Sequence, residues 1–278
     1  MKVILDSQQY SDAGRHFAEI FRIKPAELSV QHLATILNHF LNLPYENLSK
    51  ILKLNRHWES GHLRFPGEVV ADYERFKLGG TCFSLTFALR SILDFFGYAT
   101  YIVMADMPAG ANTHCALVWK NLGKAYLLDP GYLLARPLDI YSPVVGGMVS
   151  LVYEPMTDKY VLWTTSNKKL KRRYSFADVP TGMGDFQNYW EQSFHWMTMH
   201  GICLAKRDEN GFTYLHNHYL KRSGRDLNYK GNFNEEIAII ARKYFEISPE
   251  IVRQAEQALR DNLYFDQKLE FQVPRWLK

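Results

Sequence analysis

Three side chains that together can move an acyl group occur in order along this 278-residue chain. Cys82 follows a glycine pair in Leu78-Gly79-Gly80-Thr81-Cys82-Phe83-Ser84, His114 lies in Thr113-His114-Cys115, and Asp129 ends Leu127-Leu128-Asp129-Pro130. A thiol attacks strongly only as thiolate, a form that a helix N-terminus and a neighbouring imidazolium both favour. An aspartate bonded to one ring nitrogen of His114 would fix the tautomer whose other nitrogen takes the thiol proton. N–H groups at the start of a helix carrying Cys82 could receive a developing oxyanion, and the glycines let a substrate carbonyl approach the backbone.

Singly, each residue has a plainer explanation. Cysteine is among the most buried residue types, and Cys115 and Cys203 are read as inert core thiols. A lone histidine on an apolar strand is usually structural, and Asp-Pro-Gly is itself a turn signal. It is the order of glycine turn, cysteine helix, histidine strand and acidic strand end that carries the reading. Local geometry supports part of it: a three-residue loop at Asn121-Leu122-Gly123 places His114 opposite Pro130, and a shift of one residue places it opposite Asp129. Opposite or diagonal residues on one sheet face lie roughly 5–8 Å apart, within side-chain reach.

The elements that must position these residues follow from periodicity. Leu33, Ile36, Leu37, Phe40 and Leu41 form one apolar stripe that Pro44 terminates, so a helix of about 12 residues is expected there. Further helices are expected over 69–76 and 82–96, the latter stopped by Gly97 and carrying Cys82 in its first turn. From residue 98 to about 171, short runs of period two separated by Gly, Pro and Asn point to an antiparallel sheet or small barrel. These runs are 100–104, 115–119, 126–128, 151–153 and 160–163. Beyond Asp185 come a short helix, a strand at 211–215, a helix with Ile237, Ile240, Ala241 and Phe245 on one face, and a last helix opened by Ser248-Pro249-Glu250. The fold class is α+β. The chain reads in three parts: 1–98 a helical domain carrying the nucleophile, 99–184 an antiparallel sheet or small barrel carrying the histidine and acid, and 185–278 a mixed α/β domain.

Composition narrows the function. The hydrophobic share of 47% and charged share of 22% describe a folded globular chain. A net charge of +4 with pI near 8.8 is too mild for a nucleic-acid footprint and suits an anionic small molecule. Three widely spaced cysteines argue for a reducing compartment without disulfides. The opening residues end well short of a signal-peptide core, and no apolar run approaches the roughly 18 residues of a membrane helix, so cytoplasmic residence is expected. The run Lys168-Lys169-Leu170-Lys171-Arg172-Arg173 reads as a solvated face or loop, with ligand phosphates or an acidic partner as its functional alternative. His195, His200, Cys203, His216 and His218 crowd the C-terminal part but lack zinc-ligand spacing, and no metal is expected.

The motifs also resemble those of arylamine N-acetyltransferases, over essentially the whole chain. Leu43-Pro44-Tyr45-Glu46-Asn47-Leu48 is similar to that family's Pro-Phe-Glu-Asn-Leu segment, and Gly79-Gly80-Thr81-Cys82-Phe83 to its Arg-Gly-Gly-x-Cys motif. Thr113-His114 resembles the family histidine, with Asp129 at the expected separation. The resemblance implies a helical, barrel and lid architecture, a triad of Cys82, His114 and Asp129, and acetyl-CoA as acyl-donor substrate. It also implies an arylamine or hydrazine acceptor served by a ping-pong mechanism. The chain departs from the pattern at Leu78, where the family has arginine, at Ser84, where Glu or Gln is common, and at Pro130-Gly131-Tyr132-Leu133. The alternative is a transglutaminase-like or other thiol hydrolase or amide synthase, using the same triad with a different donor or acceptor.

Overall fold

The structure, a computed structural model, describes residues 5–142, 149–166, 169–209, 211–224 and 228–277. In chain order the elements are α1 (Ser11–Phe21), α2 (Val30–Phe40), β1 (Tyr45–Glu46), α3 (Leu48–Arg56), α4 (Pro66–Phe76) and α5 (Cys82–Phe95). Then come β2 (Thr100–Met107), β3 (Gly110–Asn121), β4 (Lys124–Leu128), β5 (Leu138–Asp139), β6 (Val149–Glu154), β7 (Lys159–Ser166) and β8 (Lys169–Phe176). The chain finishes with α6 (Met183–Gln192), β9 (Cys203–Asp208), β10 (Gly211–His216), β11 (Tyr219–Ser223), β12 (Asn228–Asn232), α7 (Ile237–Phe245) and α8 (Pro249–Lys268). This is the expected α+β order: helices, an antiparallel barrel-like sheet, then mixed elements. No helix among the described residues is long and apolar enough to cross a membrane.

Two compact units account for the chain: residues 1–39 with 86–189, and residues 40–85 with 190–278. In the first, seven strands run in the order β5-β4-β3-β2-β8-β7-β6, every pair antiparallel. Val103, Ala116, Val118, Leu127, Leu162 and Tyr174 alternate onto one buried face of this sheet, as a period of two requires. In the second unit, the sheet β1-β9-β10-β11-β12 shares a core with α3, α7 and α8 through Leu48, Ile51, Leu204, Leu215, Ile240 and Leu259. Burying each such side chain stabilises the fold by about 1.5–3 kcal/mol.

Several local features differ from expectation, each for a physical reason. Helix α4 begins at Pro66 rather than residue 69, because Pro fits the first helical position and Glu68 reaches back to accept from the Phe65 N–H at 3.0 Å. Helices α1 and α3 are additions. In α3, Leu48, Ile51 and Leu54 form the buried stripe, and Lys50 between them is also buried, donating to the Ser193 carbonyl at 2.9 Å. The β3–β4 loop has two residues, not three: Leu122 and Gly123 both take positive φ (48° and 76°), the geometry of a tight primed turn, so Asn121 pairs with Lys124. The basic run is mostly strand. Residues 169–173 open β8, where Lys169, Lys171 and Arg172 are exposed and Arg172 reaches Glu154 at 3.3 Å; Lys168 lies outside the described residues, as do 1–4 at the start. Arg173 is the extra residue of a β-bulge, since Leu162 pairs with Tyr174 and Trp163 with Arg172.

Candidate active site

In the first unit, His114 stands on β3 opposite Ala105 of β2, and Asp129 follows directly on the last residue of β4. The ladder between β3 and β4 ends at Leu117 and Leu128. The two side chains therefore meet not as a ladder pair but because the chain turns after β4 and brings the carboxylate back. His114 Nε2 lies 2.8 Å from Asp129 Oδ2, both side chains almost wholly buried. An imidazole protonated on Nε2 donates this bond and directs the lone pair of Nδ1 away from the acid.

Asp129 is held from further sides. The Tyr132 N–H donates to its Oδ1 at 2.9 Å, and the Tyr174 hydroxyl donates to its Oδ2 at 2.5 Å. The Leu134 N–H donates to its main-chain carbonyl at 3.0 Å, closing the turn. Burial, followed by the charge and hydrogen bond of Asp129, holds the Tyr174 hydroxyl well above its ordinary pKa, so it serves as a donor throughout the physiological range. Tyr132 meets the His114 ring edge-on at 5.1 Å and Tyr174 lies against it at 4.8 Å. A carboxylate removed from water is tolerable only when so many donors converge on it.

In the second unit, Cys82 is the first residue of α5, a partly exposed thiol outside any disulfide. Its helix start carries unsatisfied N–H groups and a partial positive charge, which favour thiolate over thiol. The turn before it is tied down on the backbone: the Gly80 N–H donates to the Pro44 carbonyl at 3.3 Å and the Glu46 N–H to the Gly80 carbonyl at 2.9 Å. Two glycines are required by space. A Cβ on Gly79 would sit 2.0 Å from the Pro44 oxygen, and one on Gly80 would sit 2.2 Å from Ser84 Oγ. Phe83, fully buried, stacks on Trp190 at 6.5 Å.

The remaining singled-out residues are dispersed. Cys115 is fully buried on β3, and burial pushes the Cys203 thiol up to about 12. His195 bonds Asp266 at 2.6 Å through Nδ1, a pairing the sequence gives no sign of. Burial lowers the pKa of His216 on β10. Among the described residues, no group of three or more His, Cys, Asp or Glu side chains is arranged to hold a metal ion. Tyr132, in the turn after β4, and Tyr174, on β8, are the neighbours of the pair that sequence reasoning missed, because nothing local distinguishes them from other aromatic residues.

Comparison with known proteins places this geometry. No curated protein matches the sequence. Among solved structures, the arylamine N-acetyltransferase from Mycobacterium abscessus aligns with a TM-score of 0.75 at 15% identity, over 93% of this chain and 99% of that one. That of Mycobacterium marinum in complex with CoA gives 0.72 at 16%, over 89% and 97%. A Bacillus cereus arylamine N-acetyltransferase described as having a Cys-His-Glu catalytic triad gives 0.68 at 16%, over 85% and 99%. Identities this low speak to fold alone, but a family profile described as N-acetyltransferase matches residues 29–253, most of the chain. The chain therefore belongs to the arylamine N-acetyltransferase family, a family of acetyltransferases.

Proposed function

We propose that Cys82, His114 and Asp129 act as one catalytic triad, and that the enzyme transfers an acetyl group from acetyl-CoA to an arylamine or hydrazine nitrogen by a ping-pong mechanism. The observation that carries this reading is the buried His114–Asp129 hydrogen bond, in a chain whose family-matching glycine turn delivers a cysteine to a helix start. The CoA-bound relative supports the donor, and the relative with a Cys-His-Glu triad supports the pattern, here with aspartate in the acid's place.

In the first half-reaction, His114 takes the Cys82 proton. The sulfur attacks the thioester carbonyl carbon, the new S–C bond forms, the bond to the CoA sulfur breaks, and the imidazolium returns the proton to the departing thiolate. In the second, the acceptor nitrogen attacks the acyl-cysteine, His114 takes an N–H proton, and Cys82 leaves as thiolate. The backbone N–H of Cys82 is our choice for one donor to the oxyanion, a contribution of about 10²–10³ in rate where such donors have been removed. Asp129 stabilises the imidazolium in both halves. We assign residues 1–98 to nucleophile delivery, 99–184 to the base and its acid, and 185–278 to a specificity-setting lid, and we expect the enzyme in the cytoplasm.

The test is intact-mass spectrometry after addition of acetyl-CoA without acceptor. The expected spectrum shows one acetyl group, mapped to Cys82 and lost in Cys82→Ala. An unmodified wild-type protein would remove acetyl-CoA as donor, and acylation by another thioester under the same conditions would redirect the reading to an amide synthase with a different donor.

A further inference from the structure

The position before the glycine pair is apolar: Leu78 is buried in the core cluster of the second unit. A cation reaches this turn nonetheless. Arg64, in the loop before α4, is 3% exposed, and its Nη1 donates to the Gly79 carbonyl at 2.5 Å. Its Nη2 donates to Asp72 Oδ2 on α4 at 2.7 Å, and Nη1 lies 3.9 Å from Glu46 Oε1. Arginine is almost never buried to this degree unless paired, and its planar fork can bridge two acceptors in fixed geometry where lysine offers a single point charge.

We propose that Arg64 is a positioning residue for Cys82, tying the Gly79 carbonyl to Asp72 and Glu46 and so fixing the turn that delivers the cysteine to the start of α5. The inference rests on the assignment of Cys82 as nucleophile. The peptide at 79–80 is clamped from two sides. The Pro44 carbonyl accepts from its N–H on one side and the guanidinium donates to its carbonyl on the other by a charge-assisted bond, while the Glu46 N–H holds the next carbonyl, that of Gly80. A Cβ on Gly80 would lie 3.2 Å from Arg64 Nη1, so guanidinium and backbone are in near contact and no side chain fits between them. Glu46 gives the clamp a fixed base. It is fully buried, burial raises its pKa and the Arg64 charge pulls it back down, while it accepts from the Ser49 N–H at 2.9 Å and from the Ser49 hydroxyl. The arginine that the family motif carries next to the glycines is thus answered here by one 15 residues before Gly79.

The experiment compares wild type with Arg64→Met, Arg64→Lys and Asp72→Asn by the rate at which iodoacetamide labels Cys82 across pH, with Cys203, a thiol that burial keeps protonated, as a check on folding. Acylation rate and donor KM are measured alongside. Arg64→Met is expected to slow Cys82 labelling and acylation by about tenfold or more, with donor KM little changed, since a misplaced reacting group loses rate at that scale. Arg64→Lys should restore part of the loss, and Asp72→Asn should show a smaller loss. Cys203 should stay unlabelled in every variant whose fold is intact. Should Arg64→Met fail to fold, the other two variants decide: wild-type Cys82 labelling in both overturns the proposal. A wild type that takes no acetyl group yet shows Arg64-dependent labelling would sink the acetyl-CoA reading and leave the positioning of Cys82 by Arg64 intact.

Discussion

Two imidazole–carboxylate pairs among the described residues, one in each unit, are built differently. His114 and Asp129 are both buried, bond through Nε2 at 2.8 Å, and share their site with a tyrosine hydroxyl and a backbone N–H that also donate to the acid. His195 bonds Asp266 of α8 through Nδ1 at 2.6 Å, is partly open to solvent, and stacks face to face on Phe271 at 4.1 Å. The shorter hydrogen bond belongs to the pair that no motif marks. Closeness of acid and imidazole alone therefore does not single out the pair proposed as catalytic. What separates the two is how many donors immobilise the acid, and whether the chain supplies a nucleophile in matching order. In the proposed triad the first pair would let the imidazole gain charge without the acid moving; the second ties a turn to a helix.

The strongest way to break this contrast is to neutralise each acid in turn. Asp129→Asn should lower the acylation rate by about a thousandfold or more, because the amide offers the wrong partner to the tautomer that acts as base, while Asp266→Asn should leave the rate per folded molecule within about twofold. Single-turnover acylation of both variants measures this, and equal losses would erase the distinction. A finer probe is Tyr174→Phe, which removes one donor to Asp129 and nothing else of size. A hydrogen bond to a charged group contributes about 1.5–3 kcal/mol, so the rate should fall by about tenfold with the fold intact by circular dichroism. An unchanged rate would make the tyrosine a packing residue only.

The smallest expected effect concerns His62, where loss of water outweighs the nearby charge of Glu191. It is half-buried beside Phe194 at 4.5 Å, and burial lowers its pKa. A histidine so depressed favours the folded state only while neutral. Its contribution is complete above the ordinary histidine value of about 6.5 and is lost as pH falls through its lower folded value. Urea titrations at stepwise lower pH should show His62→Phe losing slightly less stability on acidification than wild type. A steeper loss in the variant would place the acid sensitivity elsewhere.

How much of this was legible beforehand depended on whether the signal was local. Cys82 at a helix start could be read from two glycines before it and Gly97 after it, and α5 indeed runs Cys82–Phe95. His114 and Asp129 could be paired from their order, yet the expected strand register was off, because Leu122 as well as Gly123 takes a left-handed conformation. Helix α1 was hidden by Gly14 in its middle. That glycine is there for close contact, since a Cβ would come 2.3 Å from Phe95 Cβ. Helix α3 was hidden by Lys50, a charge on its buried side satisfied by Ser193, more than a hundred residues away in sequence. Tyr174 shares that property, its partner Asp129 lying 45 residues away. Arg64 stands only 8 residues from Asp72 and 15 from Gly79, but the irregular loop that brings them together leaves no periodicity to read.

The bulge at Arg173 has a consequence for how this molecule tolerates change in length. Because one residue there goes unpaired, Tyr174 and the lysines at 169 and 171 end up on the same side of β8, and Arg172 on the other. Excising Arg173 would leave Trp163 facing residue 172 and Thr164 facing residue 171 as before, and would only straighten the ladder. A residue lost or gained anywhere else between Lys169 and Tyr174 would act on the sheet as a frameshift acts on a gene, exchanging inside for outside upstream while the tyrosine that steadies Asp129 kept its place.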